Sequence, residues 1–386
     1  MAITLGSGLT ITGGGLVFES GYIAPKGPLY GWGQNVYSQL GLGPGSGTYY
    51  SSPKQVGALT TWSGLPGKTT GGQYHSAAIK DDGTLWTWGY SSSGQLGQGE
   101  VPGTYVSSPV QVGALTDWAT VDSFWRSTMA VKTDGTLWGW GLNNFGQLGF
   151  AGGRSSPTQV GALTNWLEVS CGKYFAAAVK TDGTLWAWGT NSTGELGLGN
   201  TTNYNSPKQV GALTSWLTLA CGYNFMAAIR TDGTLWTWGY NAFGQLGLGD
   251  TTNRSSPVQV GALTTWLNVS CSMYHMAAVM TDGSLWTWGY NNVGQLGLGD
   301  TTSRSSPVQA GALYTWSRAF AAPKTNDGWT AAIKTDGTLW TWGRNNFGQL
   351  GLGDTTNRSS PVQVGALTTW KTISGGLGQA LGVLTA

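Results

Sequence analysis

Residues 233–247 of this chain read Gly233-Thr234-Leu235-Trp236-Thr237-Trp238-Gly239-Tyr240-Asn241-Ala242-Phe243-Gly244-Gln245-Leu246-Gly247. The tryptophan-glycine pair of this sequence returns about every fifty residues. Its tryptophans are Trp32, Trp88, Trp140, Trp188, Trp238, Trp288 and Trp342. A regular period of this length indicates a repeat architecture rather than a string of unrelated domains. The sequence therefore predicts seven copies of one unit, which suits a closed ring.

One unit contains four short strand patterns. In the copy at 167–210, strand patterns cover 167–171, 175–180, 184–189 and 206–210. Asp182-Gly183 stands between the second and third patterns, and this dipeptide is typical of tight hairpin turns. Pro207 indicates that the last strand lies at an outer edge, because proline cannot donate a hydrogen bond to a neighbouring strand. The unit therefore predicts one four-stranded antiparallel blade of a β-propeller.

The two ends of the chain each carry part of a unit. Residues 27–33 match the middle of the repeat, and residues 370–386 match its first half. Joined, they complete a seventh blade and remove the free sheet edges that an open array would expose. We therefore predict an all-β, seven-bladed propeller over residues 25–386, closed by 27–33 with 370–386. Residues 1–24 then form an extended N-terminal arm outside it.

The composition supports a folded protein with little surface charge. Charged residues make up 9% of the chain and the net charge is +2, so a broad basic surface for nucleic acid is not expected. The 22 tryptophans supply enough apolar area for a large core. No apolar run is long enough to predict a membrane span.

The repeated sequence Asp-Gly-Thr-Leu-Trp-Thr-Trp-Gly-Tyr-Asn-x-x-Gly-Gln-Leu-Gly, followed by Ser-Ser-Pro-Val-Gln-Val, resembles the repeats of the regulator of chromosome condensation family. The resemblance covers about residues 27–386 and implies a seven-bladed propeller closed by both termini. The founding member of that family is a nucleotide exchange factor for a small GTPase and binds chromatin, whereas many relatives use the repeats only for interaction. The near-identity of the repeats favours a bacterial or phage member.

Few side chains are candidates for catalysis or metal binding. His75 and His275 fall at a repeat position that elsewhere holds Phe or Trp, which indicates packing rather than general-base catalysis. Cys171, Cys221 and Cys271 share one repeat position and lack the Cys-x-x-Cys spacing of a zinc site. We therefore predict no catalytic residue, no metal site and no cofactor, and we expect the protein not to be an enzyme.

Large side chains mark one rim of the predicted ring, three residues before the proline of each outer strand. The candidate rim residues are Tyr50, Arg154, Tyr204, Arg254, Arg304 and Arg358. One interpretation is that they pack over their own blades. The other is a partner-binding rim, because interfaces favour Tyr and Arg.

The N-terminal arm has apolar residues that alternate with Thr, Gly or Ser, a period-2 pattern with no partner of its own. The candidate anchor residues are Ile3, Leu5, Leu9, Ile11, Leu16 and Phe18. An ordered, uncharged strand pattern of this kind can add to the sheet of another protein. The arm is therefore a candidate attachment segment.

These features lead to three functional hypotheses. The first is a non-enzymatic interaction or structural module that its arm anchors in a larger assembly, such as a phage virion, as a capsid decoration or tail component. The alternative is a glycan-binding attachment protein that uses the aromatic rim. A small-GTPase exchange factor is less favoured, because the near-identical blades carry no long insertion. The expected partner is another structural subunit or a surface glycan, and the expected location is the virion or the extracellular surface, with the cytoplasm left open.

Overall fold

A computed structural model of the chain describes residues 3–4, 9–12, 15–18, 24–322 and 328–385. Over these residues the strands form seven four-stranded antiparallel sheets, a three-stranded N-terminal sheet and one two-stranded pair, Lys26–Gly27 with Trp62–Ser63. The four-stranded sheets are the blades of a propeller, so the predicted fold class is confirmed. Blade 1 contains both chain ends, and blades 2 to 7 follow in chain order.

The first strand of each blade lies next to the propeller axis, and the other three follow outward in sheet order. From blade 1 to blade 7, the inner strands are Trp370–Gly375, Thr69–Gly71, Trp118–Phe124, Trp166–Cys171, Trp216–Cys221, Trp266–Cys271 and Trp316–Ala321. The second strands are Gln379–Leu384, His75–Ile79, Ser127–Lys132, Phe175–Lys180, Phe225–Arg230, His275–Met280 and Trp329–Lys334. The third strands are Leu29–Gln34, Leu85–Ser91, Leu137–Gly141, Leu185–Gly189, Leu235–Gly239, Leu285–Gly289 and Leu339–Gly343. The outer strands are Tyr49–Gln55, Thr104–Gln111, Arg154–Gln159, Tyr204–Gln209, Arg254–Gln259, Arg304–Gln309 and Arg358–Gln363.

Blade 1 closes the ring with strands from both termini, as predicted. Its two inner strands come from the C-terminal end of the chain, and its third and outer strands from the N-terminal part. Gln379 pairs with Gly33 and Val383 with Leu29 in an antiparallel register. Because these hydrogen bonds join residues more than three hundred positions apart, they prevent the ring from opening at this point.

Tryptophan side chains fill the space between neighbouring blades. Trp238 of blade 5 is fully buried, and its ring centroid lies 6.0 Å from that of Trp216. Its indole N–H donates to the main-chain carbonyl of Glu195 in blade 4 at 3.1 Å. The Gln-Leu-Gly glutamine accepts in the same way elsewhere, in the pairs Trp32–Gln349, Trp88–Gln39, Trp140–Gln95, Trp188–Gln147, Trp288–Gln245 and Trp342–Gln295. The repeat therefore encodes its own contact with the next copy.

The propeller has two faces with different connections. The loop face carries the turns between inner and second strands and the long loops between third and outer strands. The turn face carries the Asp-Gly turns between second and third strands and the Gly-Ala-Leu segments that lead to the next blade. These two names are used below.

The N-terminal segment forms a small antiparallel sheet of its own, from the strands Ile3–Thr4, Leu9–Thr12 and Gly15–Phe18. Ile3 pairs with Ile11, and Leu9 pairs with Phe18. The expectation that this pattern lacks a partner of its own is therefore wrong, because its strands pair with one another. The domain boundary between residues 24 and 25 stays a prediction.

Candidate functional site

The long loops of the loop face are fixed by hydrogen bonds within each blade. In blade 5 the Asn241 side chain accepts the N–H of Leu246 at 2.9 Å and donates to the carbonyls of Asp250 and Thr252, both at 3.1 Å. The Gln245 side chain accepts the N–H of Phe243 at 2.9 Å. The Asn-x-x-Gly-Gln-Leu-Gly motif therefore builds a rigid support, and side chains outside the motif are presented from it.

Three of the candidate rim residues stabilise their own loops through ion pairs. They are Arg254, Arg304 and Arg358. Arg254 donates to the Asp250 carboxylate at 2.5 Å and to the carbonyl of Thr252 at 2.8 Å. The N–H of Thr252, followed by Arg254, keeps the pKa of Asp250 below its usual range. Blades 6 and 7 repeat the ion pair with Arg304–Asp300 and Arg358–Asp354. These arginines lie at the edge of the loop face with their charge compensated.

The other rim residues also contact their own blades. The Tyr50 hydroxyl accepts the N–H of Gly47 at 2.8 Å, and the Tyr204 hydroxyl accepts the Asn200 amide at 3.4 Å. Arg154 donates to the carbonyl of Gly153 and lies 5.4 Å from the Phe150 ring. Partner binding through the rim residues stays a prediction. Of the candidate anchor residues, Ile3, Leu9, Ile11, Leu16 and Phe18 lie on the strands of the N-terminal sheet, and Leu5 lies outside the described residues.

A group of four tyrosines lies on the loop face at blades 1 and 2, and we call it the tyrosine track. Tyr74 lies on the turn after the inner strand of blade 2, and Tyr90 and Tyr105 lie on its third and outer strands. Tyr37 comes from the long loop of blade 1. Its ring centroid is 4.0 Å from that of Tyr74 and 5.6 Å from that of Tyr90, which is 4.6 Å from Tyr105. The track therefore runs from the axis to the outer edge.

A second aromatic group lies across blades 5 and 6. Phe243 is at its centre, with the rings of Tyr274 and Tyr290 each 4.7 Å away by centroid. Tyr240 lies 6.3 Å from Phe243 and 6.1 Å from Tyr274. Burial and the neighbouring tyrosines raise the pKa of Tyr274. Aromatic rings thus cover much of the loop face on both sides of the axis.

A lysine lies among aromatic rings between these two groups. The ammonium nitrogen of Lys173 is 5.2 Å from the Trp125 ring, 4.7 Å from the Tyr174 ring and 4.3 Å from the Tyr223 ring. It also donates to the Tyr223 hydroxyl. Cation–π attraction stabilises the Lys173 ammonium group against these rings. These residues come from the inner turns of three adjacent blades, so they surround the mouth of the axial channel.

Sequence reasoning missed these aromatic groups, although two repeat positions contain the signal. Tyr90, Tyr240 and Tyr290 each follow the tryptophan-glycine pair, and Tyr74 and Tyr274 each precede the second strand. Both positions end on the loop face because they stand where strands leave the sheet. Whether these rings come into contact depends on how neighbouring blades pack. The sequence of a single repeat does not show that packing.

Both histidines are buried and contact the next blade. His275 is buried, and its Nε2 lies 2.8 Å from the Thr330 hydroxyl of the next blade. Because that hydroxyl donates to the carbonyl of Gln295 at 2.7 Å, it accepts from His275. Burial lowers the pKa of His275 to about 3, so the ring stays neutral. His75 makes the equivalent contact with Thr128 at 2.9 Å.

The axial channel is lined by the inner strands and encloses about 330 Å³. Asp122 accepts hydrogen bonds from the Thr70 hydroxyl at 3.0 Å and from the N–H of Cys171 at 2.8 Å, which ties three blades together. Burial raises the pKa of Asp122, and burial raises that of Glu168 to about 7. Among the described residues, no three His, Cys, Asp or Glu side chains are grouped to hold a metal ion.

No helix in the described ranges could cross a membrane.

The chain is similar to several characterised proteins. It is 34% identical over 127 residues to the Arabidopsis thaliana ultraviolet-B receptor UVR8, a match covering 33% of this chain and 28% of the receptor. It is 34% identical over 121 residues to the Bos taurus secretion-regulating guanine nucleotide exchange factor, covering 31% of this chain and 25% of that protein. The crystal structure of Prp20p from Saccharomyces cerevisiae aligns with a TM-score of 0.80 at 19% identity, covering 95% of this chain and 93% of that chain.

These similarities correct the first functional hypothesis. The module anchored in a phage virion, its glycan-binding alternative and the virion or extracellular location are wrong, because the similar proteins belong to a plant, a mammal and a yeast.

The family model for the regulator of chromosome condensation (RCC1) repeat matches residues 82–131, 134–179, 182–229, 232–279, 282–319 and 336–381. Each segment begins just before the third strand of one blade and continues into the next blade, and together the segments cover well over half of the chain. The chain therefore belongs to the RCC1 repeat family.

Proposed function

We propose that this propeller binds a protein partner on its loop face and acts by binding rather than by catalysis. The observation that carries the proposal is the band of aromatic side chains around the channel mouth on that face. Its central part is Trp125, Lys173, Tyr174 and Tyr223, with the tyrosine track on one side and the Phe243 group on the other. Concentrated, partly exposed aromatic area on a soluble protein is typical of an interaction surface.

The composition of this band fits a protein interface in particular. Tyrosine, tryptophan and arginine are the residues whose truncation most often weakens protein complexes. Lys173 and Arg126 add positive charge near the axis, and Arg254, Arg304 and Arg358 border the band with their carboxylate partners. We therefore expect the partner to place apolar and acidic groups over the channel mouth.

The similar proteins support binding as the activity. Prp20p was crystallised in a study of its binding to Gsp1p and histones, and another relative is named as a nucleotide exchange factor. Gsp1p and core histones are therefore the first probes to use with this chain. If a small GTPase binds at the loop face, nucleotide exchange on that GTPase would depend on the same surface.

The test compares substitutions on the two faces. Tyr223→Ala and Lys173→Ala change the loop face, and Tyr314→Ala changes a tyrosine that is 59% exposed on the turn face. Binding of Gsp1p and of core histones to each purified variant is measured by surface plasmon resonance, and co-purifying proteins from source cells are quantified in parallel. We expect each loop-face change to weaken retention about tenfold, as for truncated interface aromatics, and Tyr314→Ala to have no effect.

Matched thermal denaturation shows that the variants are folded. The proposal is overturned if the partner retained by the wild-type chain is kept by both loop-face variants or is lost from Tyr314→Ala alone.

A further inference from the structure

The tyrosine track extends the aromatic band outward across blade 2. The rings of Tyr37, Tyr74 and Tyr90 lie 4.0 to 6.4 Å apart by centroid, and the ring of Tyr105 on the outer strand lies 4.6 Å from that of Tyr90. The backbone holds these rings in place, because the N–H of Tyr90 donates to the carbonyl of Tyr74 at 2.8 Å and the N–H of Tyr37 to the Gln39 side chain at 2.8 Å. A ligand therefore meets a fixed group of rings.

The track presents rings and hydrogen-bond donors together. Tyr105 is 57% exposed, and Val101 beside it is 76% exposed. Within the described part of the chain, no protein acceptor takes the hydroxyl proton of Tyr90 or Tyr105, so both can donate to a ligand. At the inner end, Arg126 donates its Nε–H to Gln73 at 3.2 Å and retains further N–H groups.

One carboxylate near the track already accepts hydrogen bonds from its own loop. The Glu100 carboxylate accepts the Ser91 hydroxyl, the N–H of Leu96 at 3.2 Å and the N–H of Gln98 at 2.7 Å. These hydrogen bonds hold the carboxylate within its own loop. A ligand rich in carbonyl acceptors would find donors in the Tyr90 and Tyr105 hydroxyls.

Polyproline II is the peptide conformation that matches this surface. Proline residues have compact apolar rings that pack on tyrosine, no backbone N–H, and carbonyl oxygens that only accept hydrogen bonds. A proline-rich helix also loses little conformational entropy on binding, because it is extended before it docks.

We propose that the tyrosine track binds a proline-rich segment of a protein partner in the polyproline II conformation. This inference rests on the proposed function, since it assigns one part of the loop face to one feature of the partner. The proline rings pack against the exposed surfaces of the tyrosine rings, and the Tyr90 and Tyr105 hydroxyls and Arg126 donate to the segment's carbonyls.

Binding of acetylated decaproline amide to the full chain, measured by isothermal titration calorimetry, tests the proposal. A glycine-serine peptide of equal length is the control ligand, because it has the same backbone carbonyls without the rings. We expect saturable binding of decaproline only. Tyr105→Ala should weaken it about tenfold, and Tyr90→Phe should weaken it less, because the ring remains and only the hydroxyl is lost. Tyr240→Ala is the matched control, since Tyr240 occupies the same repeat position in blade 5, and it should have no effect.

Absence of decaproline binding, equal binding of the glycine-serine peptide, or equal weakening by Tyr240→Ala would each overturn the proposal. Because Tyr105 is so exposed, its replacement leaves the core intact and a lost signal does not reflect unfolding. If decaproline fails but the partner is still lost from Tyr223→Ala and Lys173→Ala, the proposed function stands and this inference alone is wrong.

Discussion

The two faces of the propeller are made from the same repeat but differ in how much they vary. On the turn face of blade 5, Asp232 accepts the Thr234 N–H at 3.0 Å and the Thr234 hydroxyl at 2.6 Å, and that hydroxyl accepts the Trp236 indole at 2.9 Å. The same relay recurs in the other Asp-Gly turns, with Ser284 in place of threonine in blade 6. On the loop face, the turn after each inner strand differs from blade to blade.

This difference separates folding from recognition. The turn-face relay uses each polar atom inside its own blade, so any change there costs a hydrogen bond that the blade needs. The loop face keeps its Asn-x-x-Gly-Gln-Leu-Gly support and varies the side chains that stand on it. Binding residues are commonly carried on such variable segments above a rigid scaffold. The faces should therefore respond differently to substitution.

The largest difference is expected between two glycines of blade 5. Both have positive φ, +77° for Gly233 on the turn face and +83° for Gly249 on the loop face. A Cβ at Gly233 would collide with the carbonyl oxygen of Thr264, whereas one at Gly249 would lie 3.7 Å from the nearest atom, the Ser306 hydroxyl. We expect Gly233→Ala to lower the free energy of unfolding by about 3 to 5 kcal/mol. Gly249→Ala should lower it by about 1 to 2 kcal/mol, the cost of the left-handed backbone alone.

Urea denaturation followed by tryptophan fluorescence measures both variants. Equal losses of unfolding free energy at the two glycines would contradict the collision with the Thr264 carbonyl as the cause of the larger loss at Gly233.

Glu168 carries a buried carboxyl group in the axial channel. Glu168 accepts the Thr218 hydroxyl at 3.3 Å, and burial, followed by the Asp122 carboxylate, raises its pKa to about 7. The folded protein then binds more protons than the unfolded chain between about pH 4.5 and 7, so Glu168 makes stability fall as pH rises through that window. Glu168→Gln should remove this dependence. The variant should be about 2 to 3 kcal/mol more stable than wild type at pH 8 and nearly equal to it at pH 4.

Unfolding free energies from urea titrations at pH 4, 6 and 8 give the result. Asp122, whose raised pKa contributes in the same direction, is present in both proteins, and its repulsion with Glu168 is part of the difference that is measured. A stability difference that does not change with pH would show that Glu168 ionises normally in the channel.

The sequence was sufficient for the fold because each blade repeats the same local signals. Asp182-Gly183 predicted the hairpin, and the half-units at 27–33 and 370–386 predicted the closing blade that the structure confirms. The functional surface could not be predicted in the same way. The contact between Tyr37 and Tyr74 joins two blades, and its spacing depends on how a whole blade packs on its neighbour.

Charged residues show the same limit. The sequence shows large side chains at the rim position, but it did not indicate that Arg254 pairs with Asp250 four residues earlier in its own loop. In contrast, Lys180 lies over the Trp186 ring at 4.0 Å, and the same repeat position places Lys80, Lys132, Arg230 and Lys334 over the equivalent tryptophans. Local hydrogen bonding and packing therefore determine which charges remain available to a partner.

The smallest expected effects come from one polar residue on each face of blade 5. Thr234→Val removes the hydroxyl that donates to Asp232 and accepts from Trp236, so the unfolding free energy should fall by about 1 to 2 kcal/mol. Arg254→Ala removes an exposed ion pair and should cost about 0.5 to 1 kcal/mol, with most of that loss gone at high salt because exposed pairs are screened. Thermal denaturation at low and high salt distinguishes the two, since the Thr234→Val loss should not depend on salt. If Arg254→Ala cost more than Thr234→Val under both conditions, the loop-face rim would be part of the folding core, and the separation between the two faces would fail.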